Sequence, residues 1–223
     1  MINAIYTRRS VRNFRPEPIP AEALREILSA GMQAPSPKNR QPWKFIVVSG
    51  AAKGEMLSVM AAGIDRTEEG KGLISPDIHY AGDEAFNQAV PEDPRARVPA
   101  GLFKGYIGDA RYTLRIMEAA PVTVFVVNPF GRSPRDAWSA SDKLNELSNV
   151  QAIGAAAQNM ALAAADLGIG SLWIGNILFA YDELTKWLDE PGEMILAMSF
   201  GYSAQPPARQ MPRKKWEDVV EIK

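Results

Sequence analysis

The stretch GDARYTLRIMEAAPVTVFVVN, residues 108–128, indicates the fold class, because its residue pattern changes abruptly at Pro121. The part before Pro121 is rich in helix-forming residues, and PVTVFVV is a short β-branched run that is typical of a buried strand. This apolar run is also far shorter than the ~20 residues that a membrane-spanning helix needs. A helix that leads directly into a buried strand predicts a sheet covered by helices.

The same alternation of helix and strand continues on both sides of this stretch. Before it, the patterns predict a helix at 20–32, a strand at 44–50 and a helix at 51–62. After it, they predict a long helix at 142–167, a strand within 167–176, a helix at 181–188 and a strand at 193–203. Strands separated by a larger number of helices indicate an α+β or α/β sheet with helices on its faces.

The predicted helix at 142–167 has the strongest pattern in the chain. Its apolar residues recur at spacings of three and four, and alanines fill many neighbouring positions: Val150, Ile153, Ala157, Met160, Ala164 and Leu167. Small residues let a second helix approach closely. We therefore expect this helix at the centre of the core, with a subunit interface as a further role.

The 223 residues suit one domain, and regular periodicity fades only in the region at about 63–108. We interpret that region as a lid or insertion with some helix of its own. Its aromatic residues Phe86, Phe103 and Tyr106 are either lid residues that select a substrate or local core residues, and His79 is expected in a loop.

Composition excludes several kinds of chemistry. The chain has no cysteine and one histidine, so thiolate chemistry, a multi-histidine metal site and a histidine-centred triad are not expected. We predict no metal site, and redox chemistry would require an organic cofactor. A net charge of −1 argues against a nucleic-acid binder. The opening MINAIYTRRS lacks the apolar core of a secretory signal, so a cytoplasmic protein without membrane attachment is expected.

The segment TRRSVRNFRP, residues 7–16, concentrates positive charge in this nearly neutral chain. If it is extended, Arg8, Ser10 and Arg12 share one side and Arg9 faces the other. Two guanidinium groups beside a hydroxyl suit a phosphate, because arginine donors form a planar fork. A solvated helix end is an equally good interpretation of this stretch alone, and a basic arm for nucleic acid is the weakest.

Three further motifs add candidate residues. The first, APSPKNRQPW at residues 34–43, is either a stiff polar recognition loop or a structural turn. The second, GIGSLWIGN at residues 168–176, lacks the glycine spacing of a dinucleotide-binding fingerprint. A basic cluster at 209–215 is either a solvated segment or part of the same phosphate site. We expect Trp43 and Trp173 to be buried structural residues.

Taken in this order, RRSVRNF, APSPKNRQPWKF, LGIGSLWIG and the basic segment that ends in WEDVV resemble the nitroreductase family of flavin mononucleotide (FMN) enzymes over essentially the whole chain. The resemblance implies an α+β fold with a central, mostly antiparallel sheet flanked by helices, in an intertwined homodimer with shared flavin sites. It assigns the phosphate to Arg8 and the pyrimidine edge to Arg12, with Ser10 between them.

The resemblance also implies that the 34–43 loop reaches the flavin of the other subunit, although Pro37 stands where relatives often have serine. Backbone amides near Ile174 and Gly175 would face the flavin ring, and Arg213, or Lys214 in its place, would complete the phosphate site. The candidate cofactor-binding residues are Arg8, Arg9, Ser10, Arg12, Pro35, Ser36, Pro37, Asn39, Gln41, Ile174, Gly175 and Arg213.

The implied activity is an oxidoreductase that takes hydride from NADH or NADPH on FMN and passes it to nitroaromatic, quinone or related small acceptors in a ping-pong cycle. Arg12 would stabilise the negative charge of the reduced flavin, and no side chain would act as a catalytic acid or base. Alternatives are another flavin reaction on the same scaffold, such as dehalogenation, ene reduction, azoline oxidation or flavin cleavage, and a non-catalytic flavin-binding dimer.

Overall fold

The computed structural model describes residues 2–74, 100–134, 136, 139–206 and 212–223. Its helices are α1 (Asn3–Thr7), α2 (Ala21–Met32), α3 (Ala51–Glu68), α4 (Ala100–Ala119), α5 (Ala140–Asp166) and α6 (Tyr181–Leu188). Its strands are β1 (Lys44–Ser49), β2 (Val122–Asn128), β3 (Gly170–Ile174) and β4 (Glu193–Gly201). Short 3-10 turns lie at Pro37–Asn39, Asn176–Ala180 and Trp216–Asp218.

Every helix and strand predicted from the sequence is present, and the main differences lie at the edges of the 63–108 region. Helix α3 continues to Glu68, and α4 already begins at Ala100, so helix occupies both ends of that region. Its middle, with His79 and Phe86, lies outside the described residues. Phe103 is buried, and Tyr106 stacks on Phe179 at 6.4 Å between ring centroids, so both belong to the core.

The four strands form one antiparallel sheet in the order β1-β2-β4-β3. The antiparallel character predicted from the resemblance is confirmed. All seven residues of β2 are buried, which explains their continuous apolar pattern, since β2 is central and covered on both faces. Strand β3 is at the edge of the sheet, so none of the other three strands covers its outer side, and another segment of the chain can pair there.

Two apolar clusters cover opposite faces of this sheet. Alternate residues of β2 separate between them, with Val124 in the cluster against α2 and α5 and Phe125 in the cluster against α3, α4 and α6. This separation follows from the two-residue period of a strand. The layers are therefore helix, sheet and helix, as the alternation in the sequence predicted.

Helices α2 and α5 approach closely on the first face. A Cβ on Gly31 would lie 2.8 Å from Met160 Cγ, so glycine is needed at this crossing. Ile153, Ala157 and Met160 are fully buried, which confirms the predicted core position of α5. Its start is fixed by a capping box, in which Ser139 Oγ accepts from Asp142 N at 3.2 Å.

A buried polar pair joins the start of α6 to the start of β4. Tyr181 Oη donates to Glu193 Oε2 at 2.6 Å, and both side chains are buried. Burial raises the pKa of the Glu193 carboxyl to about 7, the Tyr181 hydrogen bond opposes this rise, and the charges of Glu146 and Asp136 add to it. The carboxyl of Glu193 therefore titrates near neutrality in the folded protein.

We expect Glu193→Gln to reduce the fall in stability between pH 5 and pH 8. The folded protein retains a proton that the unfolded chain releases near pH 4.5, so this contribution to stability is full below that pH and is lost as pH rises through about 7. Between pH 5 and pH 8, the free energy of unfolding of the wild type should therefore fall by on the order of 2 kcal/mol more than that of the variant.

Urea unfolding at several pH values measures this difference. Glu69→Gln is the control, because Glu69 is exposed and pairs only at the surface with Lys71 at 2.8 Å. Parallel pH profiles for the wild type and Glu193→Gln would contradict the assignment of the titration to Glu193.

Across the described segments, no helix is both long enough and apolar enough to cross a membrane.

Candidate functional site

The arginine segment, residues 7–16, follows the short helix α1 and runs in extended form beside the edge strand β3. Ser10 forms a parallel bridge with Ser171, and Val11 N donates to Ser171 O at 3.0 Å. Farther along, Phe14 pairs with Ser203, and Arg15 N donates to Tyr202 O at 2.8 Å. The segment is thereby fixed against the exposed edge of the sheet, with its side chains at set positions.

A cavity of about 480 Å³ lies along this segment. Its wall contains three of the predicted arginines and the predicted serine: Arg8, Arg9, Arg12 and Ser10. The opposite side is formed by the turn from α5 into β3, at Gly168–Ser171, and by Ser203 and Gln205 after β4. Among the described residues that line this first cavity, none carries a carboxylate. The cavity therefore favours an anionic group.

Arg9 also stabilises the carboxyl end of α1. Its Nη1 donates to the backbone oxygen of Tyr6 at 2.7 Å and to that of Arg8 at 2.8 Å, at the carboxyl end of α1. A guanidinium at this position satisfies carbonyls that a helix end leaves without internal partners. Strand alternation predicted that Arg9 faces away from Arg8, Ser10 and Arg12, yet Arg9 lines the same cavity as these three residues.

A second cavity of about 330 Å³ adjoins the far end of the arginine segment. On one side lies the end of β3 and the turn after it, from Leu172 to Asn176, which includes the predicted residues Ile174 and Gly175. On the other side lies one face of α4. Arg12 and Tyr112 line both cavities, so the two cavities are adjacent at these residues, a place that we call the junction.

Gly175 leaves open space at the end of β3. A Cβ built on this residue would meet no heavy atom within 4 Å, and its φ of −93° is ordinary for any residue. The absence of a side chain therefore gives a ligand access to the backbone here, rather than serving a strained turn. Ile174 beside it is buried at 2% exposure and anchors the strand end in the core.

Trp173 differs from the sequence prediction. It is 46% exposed and lines the second cavity, whereas we expected a buried structural residue. The reason is the edge position of β3, where alternate side chains leave the core. Trp43 follows the prediction more closely, since it is partly buried and stacks on Phe45 at 6.5 Å.

Sequence reasoning missed the contribution of α4. Asp109, Tyr112, Thr113 and Ile116 line the second cavity, and their spacing of three and four places them on one helical face. Polar residues at that spacing in the predicted helix were the available signal. The helix is tied to the turn after β3, because Asn176 Nδ2 donates to Thr113 Oγ1 at 2.9 Å and Thr113 Oγ1 donates to Asp109 O at 2.9 Å.

The loop between α2 and β1 holds the predicted residues Pro35, Ser36, Pro37, Asn39 and Gln41, and none of them lines either cavity. Three of its residues have positive φ: Lys38, Asn39 and Gln41. Such conformations cost roughly 1–3 kcal/mol each and persist where surrounding contacts impose them. Ser36 Oγ accepts from Gln41 N at 2.9 Å and closes the loop. The loop is therefore a preformed, exposed structure.

Arg213 is likewise absent from both cavity walls. It is exposed, and neither cavity includes it or Lys214 in its wall. Within one chain, the amino-terminal arginines, Ser10 and the end of β3 thus line the two cavities, whereas the residues of the 34–43 loop and of the 212–215 segment do not.

Comparison with known proteins identifies the family to which the chain belongs. The model of the nitroreductase family matches residues 5–202, which include every lining residue of the second cavity and most of those of the first. The chain belongs to the nitroreductase family. Family membership accounts for the antiparallel sheet with helices on both faces.

Individual members of the nitroreductase family resemble the chain over most of its length. Nitroreductase NfnB of Mycolicibacterium smegmatis is 28% identical over 197 residues, which cover 88% of this chain and 80% of that protein. A nitroreductase structure from Desulfovibrio desulfuricans, in complex with FMN, has a TM-score of 0.65 at 25% identity and covers 100% and 96% of the two chains.

The solved structure of FMN-dependent nitroreductase NfnB from Mycobacterium smegmatis, in complex with NADPH, has a TM-score of 0.71 at 23% identity and covers 99% and 96% of the two chains. At this identity the likeness establishes a common fold.

Proposed function

We propose that the protein is an FMN-dependent oxidoreductase that uses NADH or NADPH to reduce small acceptors such as nitroaromatic compounds or quinones. The observation that carries this proposal is the pair of adjacent cavities in a nitroreductase-family chain. The first cavity is lined by three arginines, and none of the described residues in its wall carries a carboxylate. The second cavity is lined in part by Gly175, where no side chain covers the backbone.

The residues present fit FMN. The first cavity offers guanidinium groups and the Ser10 hydroxyl, which suit a phosphate. The second offers an aromatic side chain, Trp173, and backbone without a blocking Cβ, which suit a flat ring. Arg8, Ser10 and Arg12 would hold the cofactor in this chain, together with the backbone at Ile174 and Gly175. The FMN complex of the Desulfovibrio desulfuricans protein and the NADPH complex of the FMN-dependent nitroreductase NfnB from Mycobacterium smegmatis support this choice.

When bound, FMN supplies a ring that accepts hydride from a nicotinamide and donates it to an acceptor. The protein contributes binding, orientation and charge. Arg12, at the junction of the cavities, would stabilise negative charge that develops on a bound ring, because a fixed cation there needs no reorganisation during the reaction. The hydrogen bond from Asn176 Nδ2 to Thr113 Oγ1 joins the two walls of the second cavity, and Thr113 Oγ1 in turn donates to the backbone oxygen of Asp109 within α4.

We also propose that the working form is a homodimer, in which donor and acceptor bind in turn at sites shared by the two subunits. Apolar side chains on α1 and α5 support this, because several are exposed: Ile2, Ile5, Tyr6, Leu144, Leu147 and Val150. The preformed 34–43 loop lies outside both cavities of its own chain and remains available to the site of a second copy.

An absorbance spectrum of the purified protein, before and after anaerobic NADH or NADPH, tests the proposal. We expect the visible flavin bands after addition of FMN, and we expect the nicotinamide to bleach them. Reoxidation by a nitroaromatic or quinone acceptor should restore the bands. A protein that remains colourless with FMN would refute the proposal, and bands that no nicotinamide bleaches would reduce it to flavin binding without turnover.

A further inference from the structure

Tyr112 occupies a distinctive position on α4. Its side chain belongs to the walls of both cavities, a property that only Arg12 shares among the described residues lining them. The residue is 43% exposed although the following residues on the helix reach the core, with Thr113 at 7% and Ile116 at 4% exposure. Its exposed surface therefore belongs at least in part to the cavities.

The backbone of α4 at this point is firmly held. Thr113, the next residue, bonds both to Asp109 O and to Asn176 Nδ2, each at 2.9 Å, and so ties α4 to the turn after β3. The guanidinium carbon of Arg115 lies 5.7 Å from the centroid of the Tyr112 ring, within the range of a cation–π contact. Both contacts restrict where the Tyr112 ring can lie.

The chemistry of Tyr112 suits an anionic ligand better than that of its neighbour Asp109. A phenol is neutral, can donate or accept one hydrogen bond, and offers an apolar face. A ligand with its phosphate in the first cavity and its ring in the second would extend past Arg12 and Tyr112, because these two residues line both cavities. Arginine supplies charge at the junction, and tyrosine supplies a neutral contact there.

We propose that Tyr112 is a cofactor-contacting residue, whose ring and hydroxyl bind FMN at the junction of the two cavities. This inference rests on the proposed function and adds to it a residue on α4, outside the four sequence motifs. It makes binding of the cofactor depend on the position of α4, and through Thr113 and Asn176 on the end of β3.

Titration of the apoprotein with FMN, followed by flavin fluorescence, tests the inference in Tyr112→Phe and Tyr112→Ala. Loss of one neutral hydrogen bond should raise the Kd of FMN about 3- to 10-fold in Tyr112→Phe. Loss of the ring should raise it further in Tyr112→Ala, by more than about 10-fold. If Tyr112→Phe binds FMN much more tightly than Tyr112→Ala, the difference in affinity between these two variants is the contribution of the ring.

The matched control is Tyr202→Phe. Tyr202 also pairs with an arginine, since Arg15 Cζ lies 5.1 Å from its ring centroid, but it lines neither cavity. Its Kd for FMN should equal that of the wild type. Circular dichroism and the melting temperature verify the fold of each variant. If Tyr112→Ala does not fold, the Kd of FMN in Tyr112→Phe alone tests the inference.

The two possible failures are distinguishable. If the wild type binds FMN and both Tyr112 variants stay within about twofold of its Kd, the inference is overturned and the proposed function stands. If the wild type itself binds no FMN, both are overturned. A shift of the visible absorption bands in Tyr112→Phe, without a change in melting temperature, would support direct contact over a purely structural role.

Discussion

Replacement of Arg12 by leucine should slow the reduction of bound flavin by NADH or NADPH about 100-fold, as expected when one preorganised electrostatic contact to developing charge is removed. Arg12 is the cation at the junction of the two cavities, since it lines both the arginine-rich first cavity and the second cavity, which α4 and the end of β3 form. Leucine retains part of the bulk and removes the charge, so the effect isolates the electrostatic contribution.

Stopped-flow measurement of the reductive half-reaction, at an FMN concentration that saturates the variant, separates this effect from cofactor loss. Arg12→Lys is the matched control, because it keeps the charge without the planar fork and should lose far less than Arg12→Leu. An unchanged half-reaction rate in Arg12→Leu would show that Arg12 does not stabilise the developing negative charge, although the residue would still line both cavities.

Replacement of Arg8 by alanine should weaken FMN binding about 10- to 100-fold, which corresponds to the loss of one charge-assisted hydrogen bond. Arg8 lines the first cavity, where three arginines and no described carboxylate surround the space for an anion. Because part of the contact is electrostatic, the difference between wild type and variant should shrink as salt concentration rises.

Equilibrium titration of the apoprotein with FMN measures this change, and Arg15→Ala is the control. Arg15 belongs to the same basic segment, but its guanidinium pairs with Glu17 at 3.1 Å and it lines neither cavity. Equal losses in the two variants would mean that general positive charge, rather than a site at Arg8, attracts the cofactor.

Much of the fold was accessible from the sequence because its signals are local. The β-branched run at 121–128 and the alanine-rich spacing around Ile153 and Ala157 predicted β2 and α5 correctly. The end of α3 was less accessible, since Gly63 interrupts its pattern. Gly63 is buried in the helix, where a Cβ would lie 2.5 Å from Ala180 Cβ, so this glycine serves close packing rather than helix termination.

The candidate site was accessible only in part, because its walls come from distant segments. Motif order led to Arg8, Ser10, Arg12 and Gly175, and the structure places them along two adjacent cavities. Tyr112 was missed because helical periodicity shows which residues share a face but not what that face meets. Trp173 was misjudged because an edge strand and a central strand can carry similar side chains.

The bridge between Ser10 and Ser171 joins residues about 160 positions apart, and it has a consequence for biosynthesis. A nascent chain that has produced only the arginine segment has no edge strand on which to dock it, so the arginine-lined wall of the first cavity cannot form. Contacts of such sequence separation are made late, since loop closure must precede any gain from them. At the proposed FMN site, the cofactor would therefore bind only after β3 has been synthesised and the arginine segment has paired with it.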